Sequence, residues 1–290
     1  MIVRIPASSA NLGPGFDSYG IAWQLYNEIE FEKNSSLVIE GCDEAYKNPR
    51  NLAYAAFSAV LQEAGIEEAG AAIRFLRTDI PVSRGMGSSA ALICGGVLAA
   101  NELYGLGFSK ERLFQIAARV EGHPDNIAPA LFGGFTASVT EDGRAIMAQF
   151  PVSEAWHFCV LIPDFELSTA LARRALPEQY SRADAVFNVS RGALLLRALA
   201  DGDGALLRTA MQDKLHQPYR EKLIDGFEAA RKTAYACGAD ALCISGAGST
   251  LLCTGRDGAL CDRLREALKA VLPTWRVLAV EPDFVGAVIL

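Results

Sequence analysis

Apolar and polar positions along the chain predict a mixture of strands and helices. Apolar runs predict strands at 2–5, 21–29, 37–40, 71–78, 132–140, 145–150, 157–162, 242–244, 251–253 and 275–280. Helical spacing predicts helices over 51–64, 88–104, 109–120, 183–199, 223–237 and 257–271. In the helix at 109–120, Leu113, Ile116, Ala117 and Val120 form one apolar stripe behind a capping serine. The order lacks the regular alternation of a doubly wound sheet.

Length, charge and hydropathy exclude several classes of protein. The chain has 290 residues, 51% of them hydrophobic, enough for one large domain or two modest ones. No apolar run reaches membrane-spanning length, and the start lacks the form of a signal peptide. The net charge of −7 argues against nucleic-acid binding. It allows nucleotide binding, because backbone amides and a magnesium ion can neutralise phosphates locally.

The cysteines indicate the compartment. There are 7 of them, with no Cys-x-x-Cys pair, and most lie in apolar surroundings. This usage is typical of reduced thiols in a cytoplasmic protein. We therefore expect a cytoplasmic protein whose cysteines hold no metal.

Residues 81–91, Pro-Val-Ser-Arg-Gly-Met-Gly-Ser-Ser-Ala-Ala, are the most informative segment and are called the second motif below. They lie between a predicted strand and a predicted helix. Two glycines let backbone N–H groups approach a ligand, and two serines open a helix whose N-terminus favours anions. The segment is not a Walker A motif, because no Gly-Lys-Ser/Thr follows the glycines. Taken alone, it leaves phosphate binding and a purely structural turn equally open.

Two further segments accompany it. The first motif, residues 6–17, reads Pro-Ala-Ser-Ser-Ala-Asn-Leu-Gly-Pro-Gly-Phe-Asp, and the third motif, residues 245–250, reads Ser-Gly-Ala-Gly-Ser-Thr. In order and spacing the three resemble the motifs of the GHMP small-molecule kinases. A fourth motif, residues 121–130, reads Glu-Gly-His-Pro-Asp-Asn-Ile-Ala-Pro-Ala and resembles the members that phosphorylate homoserine. The resemblance covers nearly the whole chain.

The resemblance implies a fold and an activity. The fold would be α+β, with a two-layer N-terminal ATP-binding domain over 1–150 that contains a left-handed βαβ unit, and a ferredoxin-like C-terminal domain over 151–290. The implied activity is ATP-dependent phosphorylation of the side-chain hydroxyl of L-homoserine, a step toward threonine, with Mg²⁺. L-Threonine or another small hydroxy acid is the alternative acceptor, because one methyl group changes specificity only about 10–200-fold in an apolar pocket.

The resemblance also assigns residues to the nucleotide. The ATP phosphates would contact Pro81, Arg84, Gly85, Met86, Gly87, Ser88, Ser89, Ala90 and Ala91. Ser89 and Glu121 would bind Mg²⁺, which prefers hard oxygen ligands. Helix capping is the alternative for the serines, and an exposed helix end is the alternative for Glu121. Asn51 would lie near the adenine, or cap a helix.

The acceptor site must bind a carboxylate and an ammonium. Arginine pairs bidentately with carboxylates, and the resemblance points to Arg173 and Arg220, with Arg174 the competitor of Arg173. Asp17 would bind the ammonium. The pocket would also contain Asn11, His123 and Gly248. The structural alternatives are surface arginines, a turn or cap at Asn11 and Asp17, and a structural histidine at His123.

We expect no dedicated general base. Asn126 and Thr169 would orient the hydroxyl, and a loose transition state lets the proton leave late to phosphate. Some relatives, such as mevalonate kinase, are thought to use an aspartate with a lysine near the first motif. The first lysine of this chain is Lys33, so that pair is absent in the same form. A non-catalytic ligand sensor and an RNA-binding module are disfavoured by the intact second motif and the acidic charge. The expected partner is L-homoserine, without nucleic acid or membrane, and the resemblance allows a homodimer.

Overall fold

The computed structural model describes residues 1–66 and 70–290. The strands are β1 Ile2–Asn11, β2 Gly15–Asn34, β3 Val38–Glu40, β4 Gly70–Thr78, β5 Phe135–Glu141, β6 Arg144–Phe150, β7 His157–Ile162, β8 Ala241–Ile244, β9 Leu251–Gly255, β10 Arg276–Val280 and β11 Val288–Ile289. The helices are α1 Leu52–Glu63, α2 Ser88–Tyr104, α3 Lys110–Glu121, α4 Pro124–Phe132, α5 Thr169–Arg174, α6 Arg182–Asp201, α7 Gly204–Ala210, α8 Gln217–Arg220, α9 Phe227–Ala236 and α10 Leu260–Val271. None of the described helices is long and apolar enough to span a bilayer.

The larger sheet has the order β11-β1-β2-β4-β3. β5 pairs with β2, and β6 pairs with β5. β1 runs antiparallel to β2 over its whole length, from Ile2 opposite Glu30 to Asn11 opposite Gly15. Helices α1 to α4 pack with this sheet around a core that contains the fully buried Phe57. β11 returns from the C-terminal end of the chain, so the division at residue 150 stays a prediction.

The smaller sheet is antiparallel, with the order β10-β7-β9-β8. In chain order this is 4-1-3-2 with helices after the first and third strands, which is the expected ferredoxin-like arrangement. Phe158 and Val160 of β7 join the core of the larger sheet, whereas Cys159 and Leu161 face the core that includes α9 and α10. Because both faces are covered, β7 is apolar from Phe158 to Ile162 rather than alternating.

Several predicted elements differ from the structure. The strand predicted from 132 begins at Phe135, because Phe132 ends α4, a helix that the sequence pattern did not predict. The helix predicted over 223–237 begins at Phe227, since Gly226 before it has a left-handed φ of +87°. The helix predicted from 257 begins at Leu260. Helices α5, α7 and α8, each of seven residues or fewer, were also not predicted.

β1 continues six residues beyond its predicted end at residue 5, to Asn11. The extra residues include Ser8 and Ser9, which resemble loop residues in the sequence but are fully buried. Ser9 accepts a hydrogen bond from Nε1 of Trp23 at 2.8 Å, and Ser8 donates one to Oδ1 of Asn126, also at 2.8 Å. These partners explain how polar residues are accommodated in a buried strand.

Candidate active site

A cavity of about 1010 Å³ lies where the second and fourth motifs meet the C-terminal half of the chain. Its wall contains most of the predicted site residues: Asn51, Pro81, Arg84, Gly85, Gly87, Ser88, Ser89, Glu121, His123, Asn126, Thr169, Arg173 and Arg220. Met86, Ala90 and Ala91 are fully buried and do not line the cavity, so their contact with the phosphates stays a prediction. The structure therefore brings most of the predicted phosphate and acceptor residues to one cavity, while Asn11, Asp17 and Gly248 are not among the residues that line it.

The second motif forms the turn that starts α2. Gly87, with a φ of +71°, caps the helix, and Ser88 is its first residue. A Cβ on Gly87 would lie 2.0 Å from Oγ of Ser8, and one on Gly85 would lie 2.1 Å from the carbonyl oxygen of Ser245. Glycine is thus required twice, by backbone conformation and by space. The turn exposes a helix N-terminus to the cavity, where backbone N–H groups and the helix dipole favour an anion.

Arg84 ties the second motif to the segment after β7. Its guanidinium donates to the carbonyl oxygens of Pro163, Val82 and Asp164 at 3.2, 3.0 and 2.9 Å. The side chain is therefore committed to protein carbonyls, and its contact with phosphate stays a prediction.

The two predicted magnesium ligands are in direct contact. Oγ of Ser89, in the first turn of α2, donates to Oε2 of Glu121 at 2.5 Å. Ser109 caps the N-terminus of α3, and Gly122 closes its C-terminus with a φ of +87°, which fixes Glu121 at the helix end. Burial raises the pKa of the Glu121 carboxyl above its usual range, and the hydrogen bond from Ser89 opposes this. Glu121 is half-buried on the cavity wall, so the alternative of a solvent-exposed helix end does not describe it, and its role as a magnesium ligand stays a prediction.

The fourth motif forms the start of α4. Asn126 accepts from Ser8 of the first motif, as described above, and its backbone N–H donates to Oδ1 of Asp125 at 2.9 Å. Asp125 lines the cavity and is only 5% exposed. Burial, and next the charge of Asp17, raises the pKa of Asp125 to about 7. Burial lowers the pKa of His123.

Asp125 was not among the predicted site residues. The available signal was its place between His123 and Asn126, two residues of the fourth motif that were selected. A carboxylate in the first turn of a helix is also a common capping residue, which conceals such a role in the sequence.

Arg173, on the cavity wall, forms a bidentate ion pair with Asp17. The two guanidinium nitrogens lie 3.0 and 2.8 Å from the carboxylate oxygens. Asn11, with a φ of +72°, accepts from the backbone N–H of Asp17 at 2.9 Å and donates to the carbonyl oxygen of Gly246 at 2.6 Å. Arg174 is exposed, so Arg173 is the arginine of this pair that reaches the cavity. Asn11 acts on the site by holding Asp17 and the third motif together.

Arg220 is 1% exposed. Its Nε donates to the carbonyl oxygen of Ala172 at 3.3 Å, and its Nη1 donates to that of Gly246 at 3.2 Å. Among the described residues no carboxylate lies within 4.0 Å of its guanidinium. A buried cation without a direct anionic partner is costly, so this position favours an anionic ligand.

The predicted ligand contacts of Asn51 and Gly248 stay predictions, and Gly248 is not on the cavity wall. Oδ1 of Asn51 accepts from the N–H of Ala53 at 3.0 Å, which confirms its helix cap and leaves the adenine contact a prediction. Gly248 has a φ of +91°, and a Cβ there would meet Ile224 at 3.1 Å. The cavity wall of the third motif is formed by Gly246 and Ala247. Thr169, the first residue of α5, is exposed on the wall.

Comparison with known proteins agrees with this geometry. Residues 51–134 match the family model described as GHMP kinases N terminal domain, and residues 195–274 match that of GHMP kinases C terminal. A homoserine kinase of Clostridium botulinum is 42% identical over 290 residues, which is 99% of this chain and 97% of the relative. One of Clostridium beijerinckii is 41% identical, with 99% and 98% covered.

Solved structures extend the comparison to the fold. A homoserine kinase from Cytophaga hutchinsonii superposes with a TM-score of 0.88 at 28% identity, covering 100% of this chain and 97% of the other. The mevalonate kinase of L. major, in complex with R-mevalonate, has a TM-score of 0.71 at 17% identity and shows likeness of fold alone. The expected α+β fold is confirmed, and the left-handed βαβ unit stays a prediction.

Proposed function

Because this chain belongs to the GHMP kinases, we propose that it transfers the γ-phosphoryl group of ATP to the side-chain hydroxyl of L-homoserine. The product is O-phospho-L-homoserine, an intermediate toward threonine. The observation that carries this proposal is one cavity that joins the second motif to Arg173 and Arg220. A phosphate site and an amino-acid carboxylate site are what such a transfer requires.

The second motif holds the phosphates of ATP through its backbone N–H groups and the N-terminus of α2. Ser89 and Glu121 fit a magnesium ion, because Mg²⁺ in phosphoryl-transfer sites takes one or two protein oxygens and completes its shell with phosphates and water. When bound there, the ion neutralises charge on the phosphates. Since the ligand must be ionised, the raised pKa of Glu121 makes this site sensitive to acid.

The acceptor is bound by its charges at the other end of the cavity. Arg220, a buried cation, attracts the α-carboxylate, and Arg173 supplies a second guanidinium. Asp17 and Asp125 give the ammonium two carboxyl groups. Binding of a zwitterion there exchanges the Asp17–Arg173 pair for pairs with the substrate.

The hydroxyl is oriented by Asn126 and Thr169, which lie on the same cavity wall. Positioning in line with the γ-phosphate supplies most of the rate in phosphoryl transfer. No residue is assigned as general base, and the proton leaves late to the transferred phosphoryl group.

Release of ADP by purified protein with Mg-ATP tests the activity. The acceptors are L-homoserine, L-threonine, mevalonate and none, with omission of Mg²⁺ as the control. Turnover with homoserine that needs Mg²⁺ supports the proposal. Turnover with mevalonate alone, or equal turnover without acceptor, contradicts it.

We also propose a cytoplasmic location. All seven cysteines are free, which supports this location because cytoplasmic proteins keep their thiols reduced. A homodimer is proposed as well. Val139 and Ile146, opposite each other on β5 and β6, are exposed and offer apolar surface for such a contact. The molar mass of the native protein in solution tests the dimer.

A further inference from the structure

Arg220 is held by a buried polar cluster that the proposed function does not by itself explain. His216 is fully buried, and its ring stacks on that of Phe16 with centroids 5.3 Å apart. Its Nε2 lies 2.8 Å from the carbonyl oxygen of Gly13, and its Nδ1 lies 3.3 Å from Nη1 of Arg220. The imidazole therefore connects the first motif with the arginine.

The partners of this imidazole fix its protonation state. A carbonyl oxygen only accepts, so Nε2 carries a proton and donates to Gly13. A guanidinium only donates, so Nδ1 must offer its lone pair to Arg220. Both conditions hold only for the neutral ring protonated at Nε2. Burial lowers the pKa of His216 to about 4; Arg220 acts in the same direction, and Asp213 and Asp17 oppose it.

Oδ2 of Asp213 lies 3.6 Å from Nε2 of His216, but this carboxylate accepts its hydrogen bonds from other donors. Its Oδ1 accepts from Nδ2 of Asn188 at 2.6 Å, and its Oδ2 accepts from the backbone N–H groups of His216 and Gln217 at 2.9 and 2.6 Å. These bonds hold the turn before α8, the helix that ends at Arg220. The carboxylate thus shapes the backbone, while a neutral ring and carbonyl oxygens contact the guanidinium.

We propose that His216 is a positioning residue, a neutral acceptor that orients Arg220 without compensating its charge. A carboxylate in its place would orient Arg220 equally well but would neutralise it, and so weaken its attraction for an incoming carboxylate. The neutral ring leaves that charge for the α-carboxylate of an amino-acid acceptor. This inference rests on the proposed function.

Three variants of the full-length protein test the assignment. His216→Phe keeps a ring to stack on Phe16 and loses both hydrogen bonds, His216→Gln keeps one amide donor and one acceptor, and His216→Glu adds a negative charge. We expect the Phe and Glu variants to raise KM for L-homoserine roughly tenfold or more, with KM for Mg-ATP changed less than about twofold. The KM of the Gln variant for L-homoserine should lie between that of the wild type and those of the Phe and Glu variants.

Trp156→Phe is the matched control. It removes a buried ring N–H bond to a carbonyl oxygen, that of Leu199 at 2.9 Å, from a position outside the cavity wall. It should lower the melting temperature and leave both KM values unchanged. An unchanged homoserine KM in His216→Phe and His216→Glu overturns the proposal, and so does an equal rise of both KM values.

A second readout is independent of turnover. The chain has 3 histidines, so the ¹⁵N imidazole signals of His216 are identified by their loss in His216→Gln. A neutral ring protonated at Nε2 from about pH 5.5 to 8 supports the proposal, and a charged ring in that range overturns it. If the wild-type protein does not phosphorylate homoserine, the proposed function fails while this spectrum still decides the assignment of His216.

Discussion

At the scale of single residues, burial changes the titration of Asp125 on the cavity wall. Asp125 is 5% exposed, and its pKa is raised from 3.8 to about 7. Between these values the folded protein binds a proton that the unfolded chain releases. The free energy of unfolding therefore falls as the pH rises from about 4 to about 7.

Asp125→Asn should remove this decline. The amide keeps an oxygen that accepts from the N–H of Asn126 and carries no charge to bury. We expect the variant to be more stable than the wild type at pH 8, by roughly 2–4 kcal/mol, and equal to it near pH 4. Thermal unfolding across this range measures the effect. Parallel curves for the two proteins would contradict the raised pKa.

Glu121→Gln should separate magnesium binding from folding. The amide can still accept from Ser89 but cannot supply a charged oxygen to a cation. We expect kcat to fall about 100-fold or more, while binding of ATP without Mg²⁺ is retained. In the wild type, kcat/KM should decline with acid at a pH above the usual carboxyl range, because burial raises the pKa of Glu121.

Glu111→Gln is the control for this prediction. Glu111 is exposed in the first turn of the same helix, away from the cavity wall. Because Glu111 is exposed, the change should affect stability little and leave kcat unchanged. A similar loss of kcat in both variants would assign the effect to α3 rather than to a magnesium ligand.

Asp17→Asn tests whether the acid of the first motif binds or catalyses. The variant loses one charge of the Asp17–Arg173 pair and of the ammonium site. We expect KM for homoserine to rise about 10–100-fold with a much smaller change of kcat. Loss of turnover with normal homoserine binding would instead identify Asp17 as a general base. That result would contradict the proposal that the enzyme uses no dedicated general base.

Many residues of the cavity wall could be selected from the sequence because they lie in short local motifs, but their contacts with one another could not be predicted. Glu121 and Ser89 are joined across 32 residues, and Asn11 and Gly246 across 235. Such contacts depend on how the sheets pack, which no local pattern records. Asp17 and Arg173 were selected for opposite ends of one substrate, and their pairing with each other required the structure.

At the scale of elements, the bounds of a helix could be predicted where the sequence contains a signal at each of its ends. α2 has its predicted bounds, because Gly87 precedes it and Gly105 follows it, both with positive φ. α4 was missed because it is short, almost wholly buried and contains Pro129, so it has no polar face. β1 was cut short because its buried serines resemble a loop.

The two glycines that bound α2 give a matched prediction. Gly87→Ala places a methyl group 2.0 Å from Oγ of Ser8, whereas at Gly105 nothing lies within 4 Å. Both changes carry the cost of a left-handed alanine, about 1–2 kcal/mol. We expect only Gly87→Ala to displace the second motif and reduce kcat/KM for ATP, by about 100-fold or more. Steady-state kinetics with thermal unfolding measure the two effects, and equal kinetic losses would contradict the steric argument.

At the scale of the whole molecule, the third motif connects the two sheets at the cavity. Oγ of Ser245 lies 2.6 Å from the carbonyl oxygen of Gly85 and 2.7 Å from Oγ of Ser9. The N–H of Thr250 donates to the carbonyl oxygen of Arg84 at 3.1 Å. One buried serine thus touches both the first and the second motif, so the phosphate and acceptor ends of the cavity share a support.

Ser245→Ala should therefore affect both substrates at once. The variant leaves the part-buried carbonyl oxygen of Gly85 without its hydroxyl donor, which costs about 1–3 kcal/mol of stability. We expect KM for ATP and for homoserine to rise together. Ser138→Ala is the control, because that serine donates to the carbonyl oxygen of Ser18 within the larger sheet alone, at 3.2 Å. It should lower the melting temperature and leave both KM values unchanged. A rise confined to one substrate in Ser245→Ala would mean that the two ends of the cavity are supported independently.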